Sequence, residues 1–170
     1  TMNTPTLTAI GFTRPPAGPD GAPSGSVAMM PVLATPPLAA ALDALAKGYG
    51  CVPVRAGSKT PAVPWKRFQE TPPTAAELAA LFADARLNVA LLTTGLVIFD
   101  CDDPAMAERV LTESGDTPYR VRTPRGGVHL GYRARRGVPL TNRVDVKGLQ
   151  MDIRTSGGPA LLPPSRTDRR

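Results

Sequence analysis

The sequence predicts an α+β domain built on a central mixed or antiparallel sheet with flanking helices. Three observations point that way. Helical spacing of apolar residues is confined to three segments. Short runs rich in Val, Ile, Leu and Tyr, bounded by Gly and Pro, occupy most of the rest. The two kinds of segment are interleaved, and the second half of the chain reads as successive hairpins. At 170 residues the chain can build one domain with a proper core, and hardly two.

Residues 1 to 34 are punctuated by Pro, Gly, Ser and Thr with neither period, and read as a flexible leader ahead of one domain over residues 35–170. In "TPPLAAALDALAKGYG", Thr35 is set to cap a helix and Pro36 suits its first turn. Leu38, Leu42 and Leu45 form its stripe, and Lys47-Gly48 ends it. A short strand, "CVPVR", leads into the proline-spaced loop "AGSKTPAVPWKRFQETPP". Its "GSKT" is not a Walker loop, because Ser58 separates Gly57 from Lys59 and Pro61 follows where a helix should open. Thr74 and Glu77 form a capping box for "TAAELAALFADA", whose Leu78, Leu81 and Phe82 mark the buried face. Strands "NVALLTT" and "LVIFDCD" flank a turn at Gly95. Asp103 and Pro104 then open a helix over "PAMAERVLTES". Four short strands, "YRVRT", "GVHLGYRA", "LQMDIRT" and "PALLP", complete the sheet, with turns at "PRGG" and "SGG".

Composition narrows the function. No segment reaches the roughly 18 apolar residues of a membrane span. The start lacks the basic cluster and apolar run of a secretory signal. A cytoplasmic protein with no membrane partner is expected. Cys51 and Cys101 form no CxxC pair, which excludes a zinc ribbon or finger, and no disulfide is expected in that compartment. The net charge of +6 favours an anionic partner, polyphosphate or nucleic acid first, with a merely solvated basic surface as the alternative.

Three stretches carry chemistry. In "GLVIFDCDDP" strand alternation puts Asp100 and Asp102 on one face, roughly 6–7 Å apart, where they repel unless a cation lies between them. Hard oxygen ligands suit Mg²⁺ or Mn²⁺. The competing reading makes Asp102 and Asp103 helix caps and Asp100 a solvated strand end. In "TPRGGVHL", Gly126 and Gly127 permit close backbone approach to a ligand and Arg125 offers a fork for phosphate. His129, the only histidine, alternates with Val128 and Leu130. In "MDIRTSGG", Asp152 sits between two apolar residues, as a third ligand or as an ion-pair partner of Arg154 on the same face; Asp145 is a weaker competitor for the ligand position.

Taken in order, these motifs resemble the bifunctional DNA primase/polymerase N-terminal (prim-pol) family of the archaeo-eukaryotic primase superfamily, over about residues 37 to 166. "VIFDCD" is similar to the family's apolar-strand DxD, "TPRGGVH" to its second motif and "QMDIRTSGGPALLPPS" to its third. "SKTPAVPW" resembles an early Lys-x-Pro…Trp segment. The resemblance implies an RRM-like catalytic core in which Asp100, Asp102 and Asp152 hold two divalent ions, Mg²⁺ or Mn²⁺. It further implies that His129, Arg125, Gly126, Gly127, Arg154 and Lys59 meet an NTP or dNTP, with Trp65 near the site. The implied activity is template-directed nucleotidyl transfer on single-stranded DNA in the replication of a plasmid, phage or other mobile element. Gly127 departs from the family, which often has Ser there. Relatives continue past "PPS" into further helices and often a helicase, so the domain is expected to be truncated at its C-terminus. Two rival readings are a metal-dependent nuclease, which needs no triphosphate site, and a non-catalytic nucleic-acid-binding replication module.

Overall fold

Two antiparallel sheets form where the sequence pattern suggests one. The computed structural model describes residues 8–9 and 34–168 except 136, 147, 156 and 157. The first strand, β1 (Thr8–Ala9), falls within the segment read as a leader, where no strand period is visible; residues 1–7 and 10–33 of that segment lie outside the described residues, as do two residues of the "SGG" turn. There follow α1 (Pro36–Ala46), β2 (Cys51–Val54), α2 (Ala75–Leu81), β3 (Asn88–Leu92) and β4 (Leu96–Cys101). Next come α3 (Pro104–Ser114), β5 (Tyr119–Arg122), β6 (Val128–Arg133), β7 (Met151–Arg154) and β8 (Pro159–Leu162). None of the described helices is long and apolar enough to cross a membrane.

The larger sheet centres on β4, paired with β6 on one side and β7 on the other; β5 and β1 share the far edge of β6. The smaller sheet runs β2–β3–β8. Side-chain polarity explains the split. Every residue of β2 and β3 is buried, so both faces of the small sheet need cover. On one face Cys51, Val89, Leu91 and Ala160 join α1, α2 and the β4 residues Leu96 and Ile98 in a shared core. On the other, Val52, Val54, Ala90 and Leu92 lie under Phe68 and Trp65. Phe68 comes from a short 3-10 helix, Lys66–Gln69, that the proline-rich loop conceals. The opposite face of the large sheet receives α3, whose Ala107 and Val110 pack with Cys101, Leu130, Tyr132 and Met151. Cys51 and Cys101 are free thiols, both fully buried, and burial pushes them up to about 12 and about 11.

Helix ends follow local chemistry closely. Thr74 accepts from the Glu77 N–H while Glu77 accepts from the Thr74 N–H, closing the capping box. Asp103 caps α3 by accepting from the Ala105 N–H at 3.0 Å. Thr35 does not cap α1: Pro37, at the second helical position, has no N–H to offer, and the Thr35 hydroxyl is buried without a partner. The deepest residues of α1 are Pro37, Ala41 and Ala44, with Leu38, Leu42 and Leu45 half-buried around them. Small side chains let the helix lie close to the sheet while the leucines straddle the contact.

From β2 onward the chain passes between sheets twice, from β3 to β4 and from β7 to β8. Both passages are tied together. The Thr93 hydroxyl meets the carbonyls of Thr155 and Gly158, and the Thr155 hydroxyl donates to the Leu96 carbonyl at 2.9 Å. Thr93 and Thr155 are fully buried, so these bonds satisfy groups that would otherwise be costly.

Candidate active site

Register, which sequence alone does not provide, brings the acidic residues together. Asp100 of β4 lies directly opposite His129 of β6 on one side and Asp152 of β7 on the other. Val121 of β5 continues the row beyond His129. Along the same face one step down, Arg154 sits opposite Ile98. Leu96 and Ile98 belong to the shared core, so this face of β4 starts apolar and ends in a carboxylate.

Like charges placed directly across a strand pair destabilise it. Here the guanidinium of Arg154 compensates. Its Nη2 is 2.8 Å from Asp100 Oδ2 and 3.4 Å from Asp152 Oδ2, and its Nε donates to Asp100 Oδ2 at 3.1 Å. His129 Nε2 lies 3.0 Å from the other oxygen, Asp100 Oδ1. The two oxygens of Asp100 are therefore each held by a different basic side chain. Burial works to raise the Asp100 carboxyl, but the hydrogen bond and charge of His129, with the charge of Arg154, outweigh it and hold it below the usual carboxylate range. The second ring nitrogen of His129, Nδ1, is buried and has no partner.

Asp152 is propped from the loop before it. Its Oδ1 accepts the backbone N–H of Asp145 at 2.9 Å, and Asp145 adopts a positive φ of 47° to present that N–H. Asp145 thus contributes backbone here, not its carboxylate. The same loop pairs with the free edge of β7, through two hydrogen bonds between Arg143 and Ile153.

β4 ends at Cys101; Asp102 is exposed, and its side chain makes no hydrogen bond or ion pair among the described residues, while its N–H donates to Gln150. The glycine turn is seated on this strand end. Thr123 and Gly127 close it with a 2.9 Å backbone bond, and Gly126 has φ 89°. A Cβ on Gly127 would lie 2.5 Å from the Cys101 carbonyl oxygen and 3.2 Å from the Asp102 Cα. The close approach that Gly127 permits is taken up by the chain's own backbone. Arg125, at the tip of the turn, is exposed and has no ion-pair partner among the described residues.

Lys59 and Trp65 come from the loop that follows β2. Lys59 is exposed on a loop held by Asn88, whose Nδ2 donates to the carbonyls of Ser58 and Arg166. A buried Asn in the otherwise apolar "NVALL" is the sequence signal for that anchor. Trp65 covers the outer face of the small sheet, and Tyr132 is fully buried, edge-on to Phe99 with its hydroxyl bonded to the Gly115 carbonyl. Tyr132 therefore offers no face for base stacking, whereas Trp65 is only half-buried.

Among the described residues, no three His, Cys, Asp or Glu side chains form a group that could hold a metal ion. The donor chemistry nevertheless suits a hard divalent cation: two opposed carboxylates, a third adjoining in the chain, and a position between the first two that already demands positive charge.

Fold and site together define an α+β domain with a paired-carboxylate row across the centre of an antiparallel sheet, flanked by a glycine turn. The chain belongs to the bifunctional DNA primase/polymerase, N-terminal (Prim-Pol) family, whose model matches residues 41–170. Membership sets the general class of chemistry as nucleotidyl transfer of the DNA primase/polymerase type. A comparison with curated proteins gave no match.

Proposed function

We propose that this domain carries out metal-dependent, template-directed nucleotidyl transfer on single-stranded DNA, making or extending primers in the replication of a plasmid, phage or other mobile element. The observation that supports this best is the row His129–Asp100–Asp152 across β6, β4 and β7, inside the segment the family model matches. Asp100 and Asp152, with Asp102 adjoining, would hold two Mg²⁺ or Mn²⁺ ions. When bound, such ions lower the pKa of an attacking 3′-hydroxyl and neutralise the departing pyrophosphate. The protein's own part is positional. Strand pairing fixes the carboxylates, His129 braces Asp100, and the turn bearing Arg125 supplies an exposed guanidinium for triphosphate oxygens. Lys59 and Arg154 add cationic contacts to the nucleotide. Exposed arginines on β5 and beyond β6 hold template backbone with little sequence preference.

The test is calorimetric titration of NTP and dNTP with and without Mn²⁺, followed by primer synthesis on single-stranded template. Metal-dependent triphosphate binding, lost in Asp100→Ala/Asp102→Ala, is the expected result. Cleavage of DNA without triphosphate binding would favour a nuclease instead. Single-stranded DNA binding alone would favour a non-catalytic module.

A further inference from the structure

A guanidinium seated between two carboxylates holds the place that a shared cation would take. Asp100 Oδ2 faces Arg154 at 2.8 and 3.1 Å, while Oδ1 faces His129 Nε2 at 3.0 Å and keeps a second lone pair. The same guanidinium spans to Asp152 Oδ2 at 3.4 Å, between the two residues assigned above to a divalent cation. Arg154 is also about one-third exposed, so its side chain has solvent on one flank and room to turn away.

We propose that Arg154 is an internal counter-cation of the Asp100–Asp152 pair, and that it must release both before they ligate a divalent ion. Once released, its planar fork is free for a triphosphate oxygen pair, a role for which guanidinium is well shaped. One residue thereby links cation entry to nucleotide capture: it opposes the cation alone and favours the cation with its triphosphate. This rests on the reading of Asp100 and Asp152 as cation ligands.

The experiment measures Mn²⁺ affinity by the loss of the free-ion electron paramagnetic resonance signal, for the natural protein, Arg154→Gln, Arg154→Lys and Asp100→Asn. Arg154→Gln should bind Mn²⁺ alone about tenfold tighter and bind triphosphate in saturating Mn²⁺ about tenfold more weakly. Arg154→Lys should fall between. Mn²⁺ binding by Arg154→Gln that is equal to or weaker than natural, with Asp100→Asn abolishing it, overturns the counter-cation role and leaves the metal site standing. If no protein binds Mn²⁺, with or without triphosphate, the site reading falls and this inference with it. A second measurement needs no variant: the Arg154 Nε–H resonance of the natural protein should move on Mg²⁺ saturation, and its constancy while Asp100 backbone signals shift would overturn the proposal.

Discussion

The two sheets divide the labour of the domain. In the small one, β2 and β3 are buried along their whole length and carry no charged side chain. In the large one, β4 is buried through Leu96, Val97 and Ile98, then opens at Phe99 and Asp100 before closing again at Cys101. A strand that breaks its burial pattern to admit a carboxylate needs His129 and Arg154 to hold it. A strand that never breaks the pattern serves as a wall. The contrast separates residues whose loss should unfold the protein from residues whose loss should silence it.

That contrast is broken most forcefully in the wall. Leu91→Ala removes a buried side chain from the core shared by both sheets, and should cost about 2–5 kcal/mol. The measure is the urea midpoint at unchanged m-value; a cost near zero would mean the small sheet is not the rigid half.

Gly127→Ala tests where scaffold and site meet. Its Cβ would collide with the Cys101 carbonyl, a backbone atom that cannot step aside cheaply, so a loss of about 1–3 kcal/mol is expected. Gly126→Ala meets nothing and bears only the strain of its positive φ, about 1 kcal/mol. Thermal unfolding of the pair should rank Gly127→Ala the worse; the reverse order would sink the account of the turn as seated on the end of β4.

The smallest effect concerns acid. The folded Asp100 carboxyl lies below its unfolded value of about 3.9. Its contribution to stability is therefore complete above that pH and is lost as pH falls through the lower, folded value. Asp100→Asn should show a shallower fall in stability over that acid window. Superimposable acid limbs would show that His129 and Arg154 do not favour the ionised form.

Much of this was legible in the chain. The capping box at Thr74 and Glu77 and the Asp103-Pro104 start of α3 are local chemistry, and local chemistry reads directly from sequence. The strands from β2 to β8 follow from short runs rich in Val, Ile, Leu and Tyr bounded by Gly and Pro. The partition into two sheets does not, because β3 and β4 read as one hairpin around Gly95 and only the need to bury both faces of β3 parts them. At the site, alternation predicts Asp100 and Asp102 as neighbours. β4 itself ends at Cys101, and the residue directly opposite Asp100 is Asp152, 52 positions along the chain, through a register no single strand encodes. The loop positions of Lys59 and Trp65 depend on tertiary anchors, Asn88 and Phe68, that proline spacing hides.

The paired threonines at 93 and 155 have a mechanical meaning. Both chain passages between the sheets are stitched at that one end, while Asp100 stands toward the other end of β4, on the face turned to the small sheet. The domain is built like a clothes-peg, riveted at the threonines with the carboxylates near the tips of the jaws. A parting of the sheets would be restrained at the threonines and would widen toward the Asp100 end.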